Sequence, residues 1–240
     1  MNYILEYRKL IKITGIDNVR FLQNILSNDI KDINAEKMQY SLLLTPKGKI
    51  LYDFFIFRSL DEFYLDCHKD YIKEAIESLT MYKLHYKVNI SSIKSNVYIS
   101  NEILHKYCFI DPRCSKLGYR SYDLYSTSQT YDSDPSIKNN YNHNRLIHLV
   151  PEFNFDFISR RFFPLDLRMD KINAISFKKG CFLGQEVTAI MNYRSKRKKS
   201  LKCINLKEYK ILDNYLIKDS IKVGIVLGIY KEKALALLKG

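Results

Sequence analysis

The 240-residue chain has no tryptophan, and only eight glycines and five prolines. So little glycine and proline excludes collagen-like and low-complexity architectures. Its five cysteines, Cys67, Cys108, Cys114, Cys181 and Cys203, are odd in number and contain no C-x-x-C pair. That argues against a disulfide framework and a four-ligand zinc set. The five histidines show no H-E-x-x-H or other metal spacing, so no protein-only metal site is expected. No uninterrupted apolar stretch approaches the ~18–20 residues of a membrane span. The first ten residues carry Glu6, Arg8 and Lys9 and lack the apolar core of a secretory signal, so the expected compartment is the cytoplasm, with no membrane partner and a monomer as the default state. An aromatic RNP stretch and a GXXG loop are also missing, which ranks direct RNA binding last.

Acidic residues are in short supply: 26 against 39 basic ones, a formal charge of +13. The excess favours an anionic partner, such as nucleic acid, a membrane surface or a polyanionic small molecule. A Lys-, Asn-, Ile- and Tyr-rich coding bias gives the same sign, and both readings stay open. What is present is ordinary globular material, 46% hydrophobic and 27% charged, enough to bury a core without staples.

Periodicity then places the elements. Lys9 to Ile13 alternates as a strand, and Asp17 is placed to cap a helix carrying Val19, Leu22, Ile25 and Leu26. Strand-like runs 39–44 and 50–57 flank Thr45-Pro46-Lys47-Gly48, a hairpin turn. A strand over 62–67, a helix over 70–84 and strands over 86–93, 96–100 and 118–125 follow. The polar run 126–140 reads as an exposed loop and 141–149 as a short helix stopped by Pro151. Strands and helices alternate without a regular β-α-β beat, so the fold class is α+β with mixed or antiparallel sheets. Residues 1–194 form the main region and 195–240 a small C-terminal β module.

The most informative stretch is 164–186. Gly180 and Gly184 bracket Cys181, and Gly184-Gln185-Glu186 opens a helix-like run to Met191. Gly180 would allow a close backbone approach or a positive φ. A thiol there, ahead of a helix and beside Lys178 and Lys179, is placed to ionise easily. A small buried apolar cysteine is the alternative.

Lys179-Gly180-Cys181-Phe182-Leu183-Gly184-Gln185-Glu186 resembles the K-G-C-Y-x-G-Q-E signature of the YgfZ family, part of the folate-binding superfamily that contains the glycine-cleavage T-protein. Gly15 to Asp29 resembles the family's G-x-D-x-x-x-F-L-Q-x-x-x-x-N-D opening. Tyr40 to Ile50 with Asp53 resembles its L-L-T-P-x-G-x-x-x-x-D hairpin. Asp111-Pro112-Arg113 with Leu117-Gly118-Tyr119-Arg120 resembles its D-P-R…L-G-x-R segment, and Gly224 to Leu238 its closing strands. Departures are Phe182 for Tyr, Ile190 for Arg after E-V-T-A, Arg168 for Asn, Asp166 for Glu, and Leu149 at the glycine of R-I-x-x-G-I-P-E.

The resemblance implies a GcvT-like, three-part arrangement around a central opening, closed by a shortened β-barrel-like module. It implies binding of tetrahydrofolate or a derivative, including polyglutamylated forms. It also implies an accessory role in assembling or repairing Fe–S proteins, with transient Fe–S contact and only an indirect effect on tRNA modification. Fe–S proteins or their assembly machinery are the implied protein partners. Aminomethyl or other one-carbon transfer of the T-protein type is the alternative. Cys181 is the candidate reactive residue. A buried carboxylate can accept two N–H bonds from a pterin edge; Asp166, Asp170 and Glu152 are the candidates, in that order. Arg145 and the basic stretch 194–199 suit the anionic glutamate tail, and Lys179, Gly180, Gly184, Gln185 and Glu186 complete the candidate set. One thiolate cannot hold a cluster that usually takes four protein ligands, so a shared, transient or redox role is expected of Cys181.

Overall fold

The computed structural model describes residues 1–104, 106–124, 133–194 and 199–239. The chain begins with β1 (Asn2–Ile4), β2 (Arg8–Thr14) and α1 (Asn18–Ile25), then the strands β3 (Gln39–Leu44), β4 (Ile50–Ser59) and β5 (Glu62–His68). Helix α2 (Ile72–Lys83) precedes β6 (Asn89–Ile93), β7 (Asn96–Ser100), β8 (Cys108–Ile110) and β9 (Tyr119–Asp123). Helices α3 (Pro135–Ile147) and α4 (Gln185–Arg194) follow, and β10 (Lys199–Asn205), β11 (Lys210–Leu212), β12 (Tyr215–Lys218), β13 (Ile221–Tyr230) and β14 (Lys233–Lys239) end the described chain.

Three sheets result, with strand orders β3-β4-β5-β2-β6, β1-β7-β9-β8 and β10-β14-β13-β12-β11. Every strand ladder among the described residues is antiparallel. The α+β expectation therefore stands. The barrel-like expectation for the C-terminal module is corrected: β10 and β11 are the two edges of an open sheet and do not pair with each other. Its turns are tight because Asp213 and Asn214, and then Asp219 and Ser220, take positive φ, as two-residue hairpin loops require.

The first sheet is the densest part of the core. Every residue from Gln39 to Phe57, apart from the turn positions Thr45, Pro46, Lys47 and Lys49, is buried. A strand buried on both faces reads as a continuous apolar run rather than an alternating one, which is how Leu42-Leu43-Leu44 and Phe54-Phe55-Ile56-Phe57 look.

Two local expectations fail. Asp17 does not cap α1 through its side chain; its Oδ2 accepts from the Lys87 backbone N–H at 2.8 Å. The exposed loop expected over 126–140 gives way to helix from Pro135, and its residues 126–132 lie outside the described set. Asp134 caps this helix by accepting from the Ser136 N–H at 2.8 Å, with proline at the first turn. The buried stripe Ile137, Tyr141 and Arg145 ends on an arginine, so it does not read as an apolar face. No helix among the described residues is long and apolar enough to cross a membrane.

Candidate functional site

The thiol loop is held from three directions. The ammonium of Lys179 is buried and donates to three backbone carbonyls, Gln23 O and Leu26 O at 2.6 Å and Asn28 O at 3.0 Å. These carbonyls lie at the C-terminal end of α1, where unpaired acceptors and the negative end of the helix dipole favour a cation. Lys179 Nζ also lies 5.1 Å from the Phe182 ring centroid. Burial pushes its ammonium down to about 8. On the other side of the cysteine, the Leu183 N–H bonds Asn24 O at 3.2 Å. Gly184 then packs against the β3–β4 turn. Cys181 sits between these anchors and is exposed; of the other four cysteines, Cys67 is buried and the rest are half-buried.

The roles expected of the neighbouring residues shift accordingly. Gly180 has no positive φ, and a Cβ built on it meets nothing within 4 Å. Its own fold therefore does not demand glycine there. Gln185 donates its N–H to Phe182 O at 3.1 Å and starts α4, and Glu186 is exposed in the helix's first turn.

The second feature is a buried ionic cluster where the first two sheets and α3 converge. Arg8 Nε meets Asp66 Oδ1 at 2.6 Å, and its Nη1 lies 3.3 Å from Asp53 Oδ1. Arg120 Nη1 reaches Asp66 Oδ2 at 2.9 Å, and Tyr122 donates to the same oxygen. Arg113 pairs with both Asp111 and Glu152 at 2.8 Å. Tyr40 and Tyr141 donate to Asp53 and Glu152 at 3.0 Å. The guanidinium carbons of Arg8, Arg113 and Arg120 lie 5.2, 4.6 and 3.7 Å from the Phe55 ring centroid. Burial raises the Asp53 carboxyl above the usual range, against the pull of Arg8. Burial acts on Glu152 in the same sense, but Arg113, Arg145, Arg120 and Arg8 outweigh it and hold that carboxyl well below the usual range.

Arg145 and Glu152, both expected from the sequence, belong to this region. Arg145 Nη1 is paired with Asp156 Oδ2 at 2.6 Å. Both line a cavity of about 170 Å³ shared with Tyr7, Phe155, Asp156 and the β13 residue Gly228. Glu152 Oε1 is buried with no hydrogen-bond partner among the described residues. Gly228 is needed here, because a Cβ would collide with Asp156 Oδ1. Asp166 lies elsewhere, on the turn 164–167, and pairs with Lys199 at 3.2 Å. Asp170 has Lys171 Nζ 3.8 Å from its Oδ2. Neither aspartate lines that cavity, nor does any residue of 179–186. The structure thus gathers Arg145 and Glu152 in one place and the 179–186 loop in another. Residues 195–198 of the basic stretch lie outside the described set. No group of three or more His, Cys, Asp or Glu able to hold a metal occurs among the described residues.

Two departures from the family pattern have a backbone explanation. Leu149 and Arg168 take φ of +57° and +56°, the left-handed region that glycine and asparagine tolerate best. The glycine and asparagine of the pattern would hold this path without the cost a leucine or arginine meets. Phe182 is buried beneath Lys179, and Ile190 is exposed.

Sequence reasoning gave no role to Arg8 or Asp66, and quoted Tyr40, Asp53, Arg113 and Arg120 only as motif positions. A signal existed. Asp53 and Asp66 are carboxylates embedded in the apolar strand runs Leu51 to Phe57 and Phe63 to Cys67, and such groups must be paired when buried.

Residues 6–101 match the model of the GCVT N-terminal domain. The chain is 26% identical over 214 residues to an iron–sulfur cluster assembly factor IBA57 homolog, mitochondrial, of Mycosarcoma maydis, covering 77% of this chain and 52% of the relative. It is 25% identical over 241 residues to the tRNA-modifying protein YgfZ of Blochmanniella pennsylvanica, covering 86% and 72%. It spans about half the length of the IBA57 homologs it matches. Those homologs are named mitochondrial, whereas the N-terminal sequence suggested the cytoplasm. The fold matches that of the glycine cleavage system aminomethyltransferase T of Bartonella henselae with a TM-score of 0.73 at 15% identity, covering 99% of this chain and 78% of that one. The chain thus shares the GcvT-like fold and is similar in sequence to YgfZ and IBA57 proteins.

Proposed function

We propose that the chain is a folate-dependent accessory factor for assembling or repairing iron–sulfur proteins, with Cys181 as its working thiol and tRNA modification affected through an Fe–S enzyme. The relatives named for iron–sulfur cluster assembly and for tRNA modification support the coarse role. The observation that carries the finer one is the exposed Cys181, offered on a loop anchored by Lys179, Leu183 and Gly184. A thiol so displayed suits contact with a partner's cluster, the partner supplying the remaining ligands.

For folate, the residues around the 170 Å³ cavity fit the head group. Glu152 Oε1 accepts no hydrogen bond among the described residues, with Arg8 Nη1 4.0 Å away, and an aminopyrimidine edge is rich in donors. Tyr7 and Phe155 offer ring faces, and Lys138 and Arg145 offer positive charge. Bound there, a reduced folate would supply a one-carbon carrier. The cavity is smaller than the ~300–1,000 Å³ of ordinary ligand pockets, so it would enclose only part of the molecule. Asp166 and Asp170 stay as proposed secondary acceptors.

The test has two arms. Cys181→Ala should fail to restore Fe–S enzyme activity in a strain lacking the gene; full restoration would make the thiol structural. Calorimetry with tetrahydrofolate and its 5-formyl derivative should show binding to wild type, weaker binding to Asp166→Ala, and loss in Glu152→Gln. Binding untouched in a folded Glu152→Gln protein would remove the cavity from the proposal. Release of formaldehyde or ammonia from an aminomethyl donor would replace the reading with aminomethyl transfer.

A further inference from the structure

A cleft of about 650 Å³ lies apart from both features, between the end of α1, the approach to β3 and the β8–β9 connection. Its size falls within the ~300–1,000 Å³ of small-molecule sites. Tyr40, Phe109, Met38 and Pro112 give it apolar and aromatic surface. Asp32 and Glu36 line it too, are exposed, and form no ion pair among the described residues. Lys37 is the one cation among the described lining residues. In a chain with a formal charge of +13, this is an unusual place to gather carboxylates.

Gln39 adds an independent observation. It lines the cleft, is only 5% exposed, and its Oε1 has no hydrogen-bond partner among the described residues. Its Nε2 donates to Asp29 O at 2.7 Å, which fixes the amide orientation and leaves the oxygen as the unpaired atom. A buried acceptor without a donor is costly, and a donor-bearing ligand would remove that cost. Asp111, at the same cleft, already holds the guanidinium of Arg113 through both carboxylate oxygens. Its charge is spoken for, so Asp32 and Glu36 are the lining carboxylates left to meet a ligand, together with Gln39 Oε1.

We propose that this cleft binds a ligand carrying a guanidinium or amidinium group on a flat or apolar body. The planar cation supplies several N–H donors for Gln39 and the rim carboxylates, and its body lies against Tyr40 and Phe109. The acidic rim repels a polyanionic tail, so this site is separate from the folate reading and does not rest on it.

The experiment is calorimetric titration of the full chain at low salt with three probes. These are benzamidine, the arginine tripeptide Ac-Gly-Arg-Gly-NH₂ and benzoate, which keeps the ring and reverses the charge. Benzamidine should bind and benzoate should not. Glu36→Gln, an exposed change that leaves the fold alone, should weaken benzamidine by about two- to fivefold, as expected for one partly screened charge. Gln39→Leu should weaken it by about tenfold or more, the loss of a hydrogen bond to a charged group. Tetrahydrofolate should not compete. Tighter binding of the tripeptide than of benzamidine would assign the cation to an arginine presented by a partner chain; the reverse order would assign it to a free small molecule. Equal binding of benzoate, benzamidine affinity unchanged in both variants, or no binding of either cation at millimolar concentration would overturn the proposal.

Discussion

Gly48 and Gly184 meet at the base of the thiol loop: a Cβ on Gly184 would lie 3.3 Å from Gly48 Cα. Both have positive φ, +74° and +76°. A Cβ on Gly48 would come within 2.8 Å of Val187 Cβ, and one on Gly184 within 2.5 Å of Thr45 O. The hairpin turn and the start of α4 therefore require each other's glycine. Gly48→Ala and Gly184→Ala should each cost more than the ~1 kcal/mol of a simple Gly-to-Ala φ penalty, because backbone atoms must also move. Gly180→Ala, with open space before it, should leave stability unchanged. Urea unfolding of the three variants checks this; equal losses at all three positions would contradict the packing account.

The anchoring of Lys179 predicts how Cys181 reacts. Iodoacetamide should label Cys181 first, since Cys67 is buried and burial pushes its thiol far up. Lys179→Met removes the cation from three carbonyls 151 to 156 residues away in sequence. It should loosen the loop, raise proteolytic cutting near Cys181 and lower the unfolding midpoint. Lys179→Arg should restore part of the effect. Peptide mapping after brief labelling and limited proteolysis reads both; a Lys179→Met chain cut like wild type would refute the anchor.

Acid should weaken the ionic cluster through Glu152. Its folded carboxyl is held below the ordinary value of 4.5, so its stabilising contribution is complete above that value. The contribution is lost as pH falls through 4.5 toward the lower folded value. Asp53 works the other way, since burial raises its folded carboxyl above 3.8 and protonation there relieves the fold. The stability gap between wild type and Glu152→Gln should therefore shrink from neutral pH to about pH 3. Removing one partner of a buried pair costs about 3–5 kcal/mol, so the neutral-pH gap should be large. A gap constant with pH would place the cost in packing instead of charge.

Arg168→Asn should stabilise the chain, and Leu149→Gly should relieve the same backbone strain at a cost in packing. Each native residue holds a left-handed conformation that costs an ordinary L-residue about 1–2 kcal/mol. For Leu149→Gly that gain is offset by the extra freedom of glycine's unfolded chain and by the loss of a half-buried leucine packed on the core, so no net gain is expected there. Thermal melts of the single variants measure it, and a lower midpoint for Arg168→Asn would contradict it.

The sequence by itself determined the local and the contiguous: the β3–β4 hairpin from Pro46 and Gly48, the α2 helix from its spacing, and the 179–186 signature with its family. These depend on neighbours a few residues apart, and turn chemistry and periodicity are written at that range. It also singled out Arg145 and Glu152, as candidates for a folate's anionic tail and pterin edge, without showing that both sit in one buried cluster. Tertiary structure alone decided what Lys179 touches, and that Asp53, Asp66 and Glu152 are neutralised by Arg8, Arg113 and Arg120 across separations of 39 to 58 residues. A buried charge is stable only with a partner in contact, and which distant residue becomes that partner is set by how the sheets and α3 converge, a relation no local pattern carries.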